Sequence, residues 1–263
     1  MRKEEPLLTI EDLSIKFQLK NQVVDIIKGL SLNIYKGESL AIVGESGAGK
    51  SVFGKSLIGV LDKNGWIDSG KIIYKGMDIA KFKTEDEWLK IRGREIAMVF
   101  QEPMTALNPL KTIGSQVKEA VVLNQGLKGK GAEKEAIKIL EDVGIKNADK
   151  LYKKYPHEFS GGMRQRAVIA IALACKPNIL ICDEPTTALD VTIQAQILKL
   201  LNRLQEEYNL TIIYISHDLG VVAKIAHRVA VMCKGKIVEV GHVRDIFYNP
   251  KHPYTISLLS KLP

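Results

Sequence analysis

Short apolar runs recur along the chain, separated by segments of helical periodicity. Ser39 to Val43 (SLAIV), Ile96 to Phe100 (IAMVF), Ile179 to Cys182 (ILIC) and Thr211 to Ile215 (TIIYI) are nearly continuous in apolar residues. That pattern predicts strands covered on both faces of a sheet. From Val191 to Tyr208, Ile193, Ile197, Leu200, Leu201 and Leu204 fall at i, i+4, i+7, i+8 and i+11, one stripe of an amphipathic helix. Strands alternating with helices predict an α/β fold with a parallel sheet.

Two regions break this alternation. Residues 7–37 and 67–79 read as antiparallel strands and turns. Residues from about 105 to 160 read as all-helical, with Ala136, Ile139, Leu140 and Val143 spaced i, i+3, i+4 and i+7. Gly126 to Gly131 (GLKGKG) predicts a flexible turn between two of these helices. The expectation is one domain over residues 7–259: an α/β core, an antiparallel β subdomain and a helical insertion, followed by a short tail at 260–263.

Composition narrows the class. With 46% hydrophobic residues in 263, the chain can bury a core, which excludes a disordered chain. Cys175, Cys182 and Cys233 show no C-x-x-C spacing, so neither a zinc cluster nor a disulfide framework is expected, and reduced thiols in a cytosolic protein are the simplest account. The longest uncharged apolar run, Ala167 to Cys175, is far short of the ~20 residues that span a bilayer. Met1-Arg-Lys-Glu-Glu-Pro6 turns acidic where a signal peptide turns apolar, so export is not expected. A net charge of +8 suits nucleic acid, anionic lipid or nucleotide phosphate, or simply a solvated surface.

The first chemical motif is Gly44-Glu45-Ser46-Gly47-Ala48-Gly49-Lys50-Ser51. It fits G-x-x-x-x-G-K-[ST], directly after the strand SLAIV and before a helical pattern, the context of a P-loop. Its glycines let successive backbone N–H groups turn inward as an anion nest, and the next helix points its N-terminus at phosphate. Lys50 supplies a point charge for the β and γ phosphates, and the Ser51 hydroxyl is a hard ligand for Mg²⁺. A hydrolase elbow, G-x-S-x-G, fails because its last position would be Ala48.

Ile179-Leu-Ile-Cys-Asp183-Glu184 is an apolar strand ending in two carboxylates. Asp183 can hold Mg²⁺ beside Ser51. Glu184, projecting to the other side by strand alternation, can accept a proton from water attacking a γ-phosphate.

With these, Phe159-Ser-Gly-Gly-Met-Arg-Gln-Arg166 resembles the signature motif of ATP-binding cassette (ABC) ATPases. The order also matches: P-loop, Gln101, signature, acidic pair, Ala188-Leu189-Asp190, then His217. The resemblance runs from about Leu7 to Leu259. It implies a cassette that binds ATP and Mg²⁺ between two subunits. Phe17 would stack on adenine, a core phenylalanine being the alternative. Gln101 would touch Mg²⁺ and water and sense a membrane partner. Ser160, Gly161 and Gly162 would face the γ-phosphate held by another subunit's P-loop, Asp190 would cross between subunits, and His217 would bond the γ-phosphate. Glu184, His217 and Gln101 then form the catalytic set, with Ser51, Gln101 and Asp183 on the metal.

A finer resemblance narrows the cassette. Ile91-Arg92-Gly93, Ile96 to Pro109 (IAMVFQEPMTALNP) and His252-Pro-Tyr-Thr255 are similar to D-type subunits of oligopeptide, dipeptide and nickel importers. This implies a second cassette as partner (an F-type chain, or a second copy), two permease subunits, an external binding protein, and a peripheral place on the cytoplasmic face of the membrane. Peptide-type members often continue past His-Pro-Tyr-Thr, sometimes with a cysteine cluster for an iron–sulfur centre. This sequence ends at Pro263 without one, so no such centre is expected, and a nickel or metallophore importer stands as the alternative to a peptide importer. A nucleic-acid-associated ABC ATPase is the remote alternative. It lacks support, because such proteins carry a long coiled coil between the halves or two cassettes in one chain.

Overall fold

The computed structural model describes residues 5–187 and 189–260. Ala188, the tail residues 261–263 and residues 1–4 of the N-terminal reading lie outside the described residues. The chain opens with strands β1 (Leu8–Leu19), β2 (Gln22–Ile34) and β3 (Ser39–Val43), then helix α1 (Lys50–Ser56). Strands β4 (Gly65–Tyr74) and β5 (Met77–Asp78), one-turn α2 (Glu85–Trp88) and β6 (Ile96–Val99) follow. A helical run comprises α3 (Pro103–Ala106), α4 (Ile113–Gln125), α5 (Gly129–Asp142), α6 (Ala148–Leu151) and α7 (Gly161–Ala174). The chain closes with β7 (Ile179–Asp183), α8 (Val191–Tyr208), β8 (Thr211–Ser216), α9 (Leu219–Ile225), β9 (Arg228–Cys233), β10 (Lys236–His242), α10 (Val243–Tyr248) and α11 (Pro253–Leu259).

Two compact units divide these elements, 1–90 with 210–263 and 91–209. In the first unit, β2, β1, β4 and β5 form an antiparallel sheet in that order. Leu8, Ile10, Leu13, Ile15 and Phe17 all point into its core. The step of three between Ile10 and Leu13 is a β-bulge, where Asp12 takes φ 46° and the register with β2 shifts. Without that extra residue the second half of β1 would turn its apolar side to solvent. The same unit holds β10, β9, β3 and β8 side by side. β3 is parallel to both β8 and β9, while β9 and β10 form an antiparallel hairpin. All five residues of β3 are buried, as its continuous apolar run requires.

The second unit pairs β6 with β7 in parallel and carries the helices. Val117, Val121, Ala132, Ala136, Ile139 and Leu140 bury the inner faces of α4 and α5. Helix α7 is buried on nearly all sides from Ala167 to Ala174. Helix α8 spans the predicted residues, and four of its predicted stripe residues, Ile197, Leu200, Leu201 and Leu204, are buried. The turn predicted over Gly126–Gly131 is shorter than expected. Gly126 ends α4 at φ 69°, but Gly129 and Gly131 already belong to α5. Burial of Ala132 and Ala136 outweighs the ~1 kcal/mol that glycine costs in a helix. Among the described residues no helix is long and apolar enough to cross a membrane.

Candidate functional site

In the first unit, residues 44–51 leave β3 and enter α1 as a closed loop. Gly44 runs so close to the β9 backbone that a Cβ there would sit 2.1 Å from the Met232 carbonyl oxygen. Gly49, at φ 103°, is the N-cap of α1 and offers no side-chain acceptor to the helix's first N–H groups. An anion at that end would meet the positive end of the helix dipole. Lys50 is buried, and its Nζ donates to the carbonyls of Gly44 at 2.8 Å and Glu45 at 3.0 Å. Its charge is thus stored against the loop's own backbone. The Gly235 N–H donates to the Ala48 carbonyl at 3.0 Å, bracing the loop from the β9–β10 turn. Glu45, Ser46 and Gly47 are exposed, and Ser51 is half-buried.

The register of β3 on β8 pairs Val43 with Ser216. Gly44 and His217 therefore leave neighbouring parallel strands at the same, carboxyl end, where open α/β sheets bind ligands. His217 is exposed there. Asp218 beside it starts α9, its Oδ1 accepting the Val221 N–H at 3.0 Å. Two other histidines have packing roles: Nδ1 of His227 accepts the Ser39 N–H and Nδ1 of His252 accepts the Tyr254 N–H.

In the second unit, the parallel register of β6 and β7 pairs Val99 with Cys182, so Gln101 and Glu184 emerge together. Gln101 Nε2 donates to Glu184 Oε2 at 3.0 Å. Thr187 Oγ1 donates to the same oxygen at 3.0 Å; sequence reasoning did not single out Thr187. Glu184 takes φ 46°, a left-handed conformation that costs roughly 1–2 kcal/mol in a non-glycine residue and often marks a functional position. Asp183, at the end of β7, is 5% exposed. Burial first, and the Asp183 carboxylate second, push the Cys182 thiol far above its ordinary pKa, which makes it a neutral packing group and not a nucleophile.

Ser160 caps α7, its Oγ accepting the Met163 N–H at 3.4 Å. Ser160 and Gly161 are exposed and Gly162 is half-buried. A Cβ on Gly162 would lie 2.6 Å from Ile193 of α8, so glycine is needed there for packing as well. Arg164 and Arg166 of the same motif are spent on structure, donating to the carbonyls of Pro156 and Val143. Asp190 is exposed and caps α8 through the Ile193 N–H at 3.0 Å.

Phe17 is 7% exposed. Its ring covers Gly65, where a Cβ would come within 2.5 Å of it. In this structure it packs as a core side chain of the antiparallel sheet.

The sequence carries the same pattern as a known family. The ABC transporter family model matches residues 27–187. Over 257 residues the chain is 55% identical to the oligopeptide transport ATP-binding protein AmiE of Streptococcus pneumoniae, covering 98% of this chain and 72% of that one. The chain belongs to the ABC transporter family. It is also 52% identical over 261 residues to the dipeptide transport ATP-binding protein DppD of Lactococcus lactis, covering 99% of this chain and 74% of that protein. Among solved structures it is similar to a dimeric post-hydrolysis state of the ATP-binding cassette MJ0796 bound to ADP and Pi, with a TM-score of 0.79 and 29% identity over 90% of this chain and 99% of that one. As an ABC cassette it binds ATP and is an ATPase coupled to transport. Its first unit carries the P-loop and His217. Its second carries Gln101, Asp183, Glu184, the signature turn and Asp190.

Proposed function

We propose that the chain is the ATP-hydrolysing subunit of a peptide importer. The observation that carries the cargo is the likeness, over nearly the whole chain, to oligopeptide and dipeptide transport ATP-binding proteins. The proposed unit of action is a pair of cassettes, the second an F-type chain or another copy, seated on two permease subunits at the cytoplasmic face of the membrane. An external binding protein would deliver the peptide.

The donor set fits a nucleotide with its metal: an inward-turned loop, a lysine already positioned over it, and a hydroxyl and a carboxylate as hard oxygens. In this reading Lys50 and the N–H groups of residues 47–51 hold the β and γ phosphates. Ser51, Asp183 and Gln101 would supply oxygens to Mg²⁺, which when bound would neutralise charge that develops on the phosphates. Phe17, largely buried, would stack on adenine only with the part of its ring that its sheet leaves open. Ser160, Gly161 and Gly162 of the second cassette reach the γ-phosphate, with Asp190 beside that seam. His217 donates to a γ-phosphate oxygen. Glu184 takes a proton from water as the water oxygen bonds to phosphorus and the bond to the ADP oxygen breaks. The left-handed backbone of Glu184 and the hydrogen bonds that its carboxylate takes from Gln101 and Thr187 support this role.

Two measurements test the reading. Replacement of Glu184 by Gln should slow hydrolysis by ~10²–10⁴-fold while ATP still binds, and a dimer should accumulate on gel filtration with ATP. Full turnover would remove Glu184 as the base. Cells lacking the chain should lose uptake of labelled di- and oligopeptides. Intact peptide uptake with lost nickel uptake would move the cargo to the metal group.

A further inference from the structure

We propose that Tyr254 is a positioning residue for the P-loop, held in place by α11 acting as a strap. The Tyr254 hydroxyl accepts the backbone N–H of Glu45 at 3.1 Å, across 209 residues of sequence. The peptide that joins Gly44 to Glu45 is thereby gripped on both edges. Its carbonyl takes the Lys50 ammonium at 2.8 Å, and its N–H takes Tyr254.

The strap does not hang from a loose end. The Glu239 carboxylate of β10 accepts the Lys251 N–H at 2.8 Å and the His252 N–H at 3.0 Å. His252 Nδ1 then accepts the Tyr254 N–H at 3.1 Å, Pro253 fixes the first helical position, and Thr255 is 1% exposed. The hairpin that carries Glu239 also braces the loop through Gly235 and Ala48. The hairpin and its strap therefore set both the first and the last part of the nest.

The consequence for binding is specific. A loop whose peptide planes are fixed meets phosphate with little further ordering cost, and pre-organisation of this kind acts on affinity. It leaves the chemical step to Glu184. Tyr254 should therefore appear in the KM for ATP and not in kcat. This inference rests on the P-loop being the ATP site.

The test compares Tyr254→Phe with Tyr248→Phe in the full chain. Tyr248 is 81% exposed on α10 and serves as a control. Loss of one hydrogen bond should raise the ATP KM, and the dissociation constant of a fluorescent ATP analogue, by about threefold to tenfold in Tyr254→Phe. The kcat should stay within about twofold and the melting temperature should hold, with Tyr248→Phe unchanged throughout. Exchange of the Glu45 amide with deuterium should quicken in Tyr254→Phe alone. Wild-type affinity and an unchanged Glu45 exchange rate in Tyr254→Phe would overturn the strap while leaving the ATP site intact. A wild-type chain that binds no ATP would overturn both.

Discussion

Two glycine-containing turns, the P-loop and the signature turn, are braced to different degrees. The P-loop is held at several points: Lys50 is folded onto two of its carbonyls, Tyr254 holds one N–H, and Gly235 holds one C=O. The signature turn at Ser160–Gly162 has a single long cap bond, and its first two residues face solvent. The first turn is braced within its own unit; in the proposed pair of cassettes, the second would meet phosphate held by another chain. A protein that closes on its ligand needs this asymmetry. One surface has to capture nucleotide, and the other has to gain contacts only after capture.

Substitutions can break that comparison. The largest effect should come from Lys50→Ala. It removes the charge that the loop stores, and the affinity for ATP should drop by roughly two orders of magnitude, as the loss of charge-assisted bonds implies. Isothermal titration checks this, and unchanged affinity would count against the site. Next is Gly44→Ala, whose Cβ would meet the Met232 carbonyl at 2.1 Å. The backbone must shift, so a loss of about 1–3 kcal/mol in urea unfolding is expected. Gly161→Ala is the contrast, since among the described residues its Cβ would meet only Leu189, at 3.5 Å. Its stability should stay within ~0.5 kcal/mol of wild type; a large loss would mean that the signature turn is packed as tightly as the P-loop. The smallest effect concerns thiols. Desolvation raises Cys175 to about 11 and Cys182 further still; Cys175 and Cys233 are both half-buried and Cys182 is buried. Alkylation of the folded chain at pH 8 should mark Cys233 first, and mass mapping would read it.

Local signals made much of this legible. The four apolar runs became β3, β6, β7 and β8 because a strand buried on both faces has few ways to hide its pattern. The stripe of α8 and the P-loop spacing are likewise signals within one stretch of chain. What escaped depends on contacts remote in sequence. The β9–β10 hairpin and α10 are not among the elements that the pattern predicts, although Arg228–Cys233 (RVAVMC) is as apolar as the predicted runs. Gly129 reads as a turn until the burial of Ala132 is known. Tyr254 stood in a segment noticed only for its likeness to a family, and nothing near it in sequence points to Glu45. Nothing in the sequence near Thr187 points to its hydroxyl's bond to Glu184. Phe17, singled out for adenine, is mostly covered by its own sheet.

In the proposed pair of cassettes Asp190 would serve two masters. Its carboxylate starts α8 and lies at the surface, where a companion cassette would meet it. Any scan that replaces it with alanine will mix a frayed helix with a weakened handshake and report one number for both. Asparagine, which caps about as well but carries no charge, would let the two be told apart.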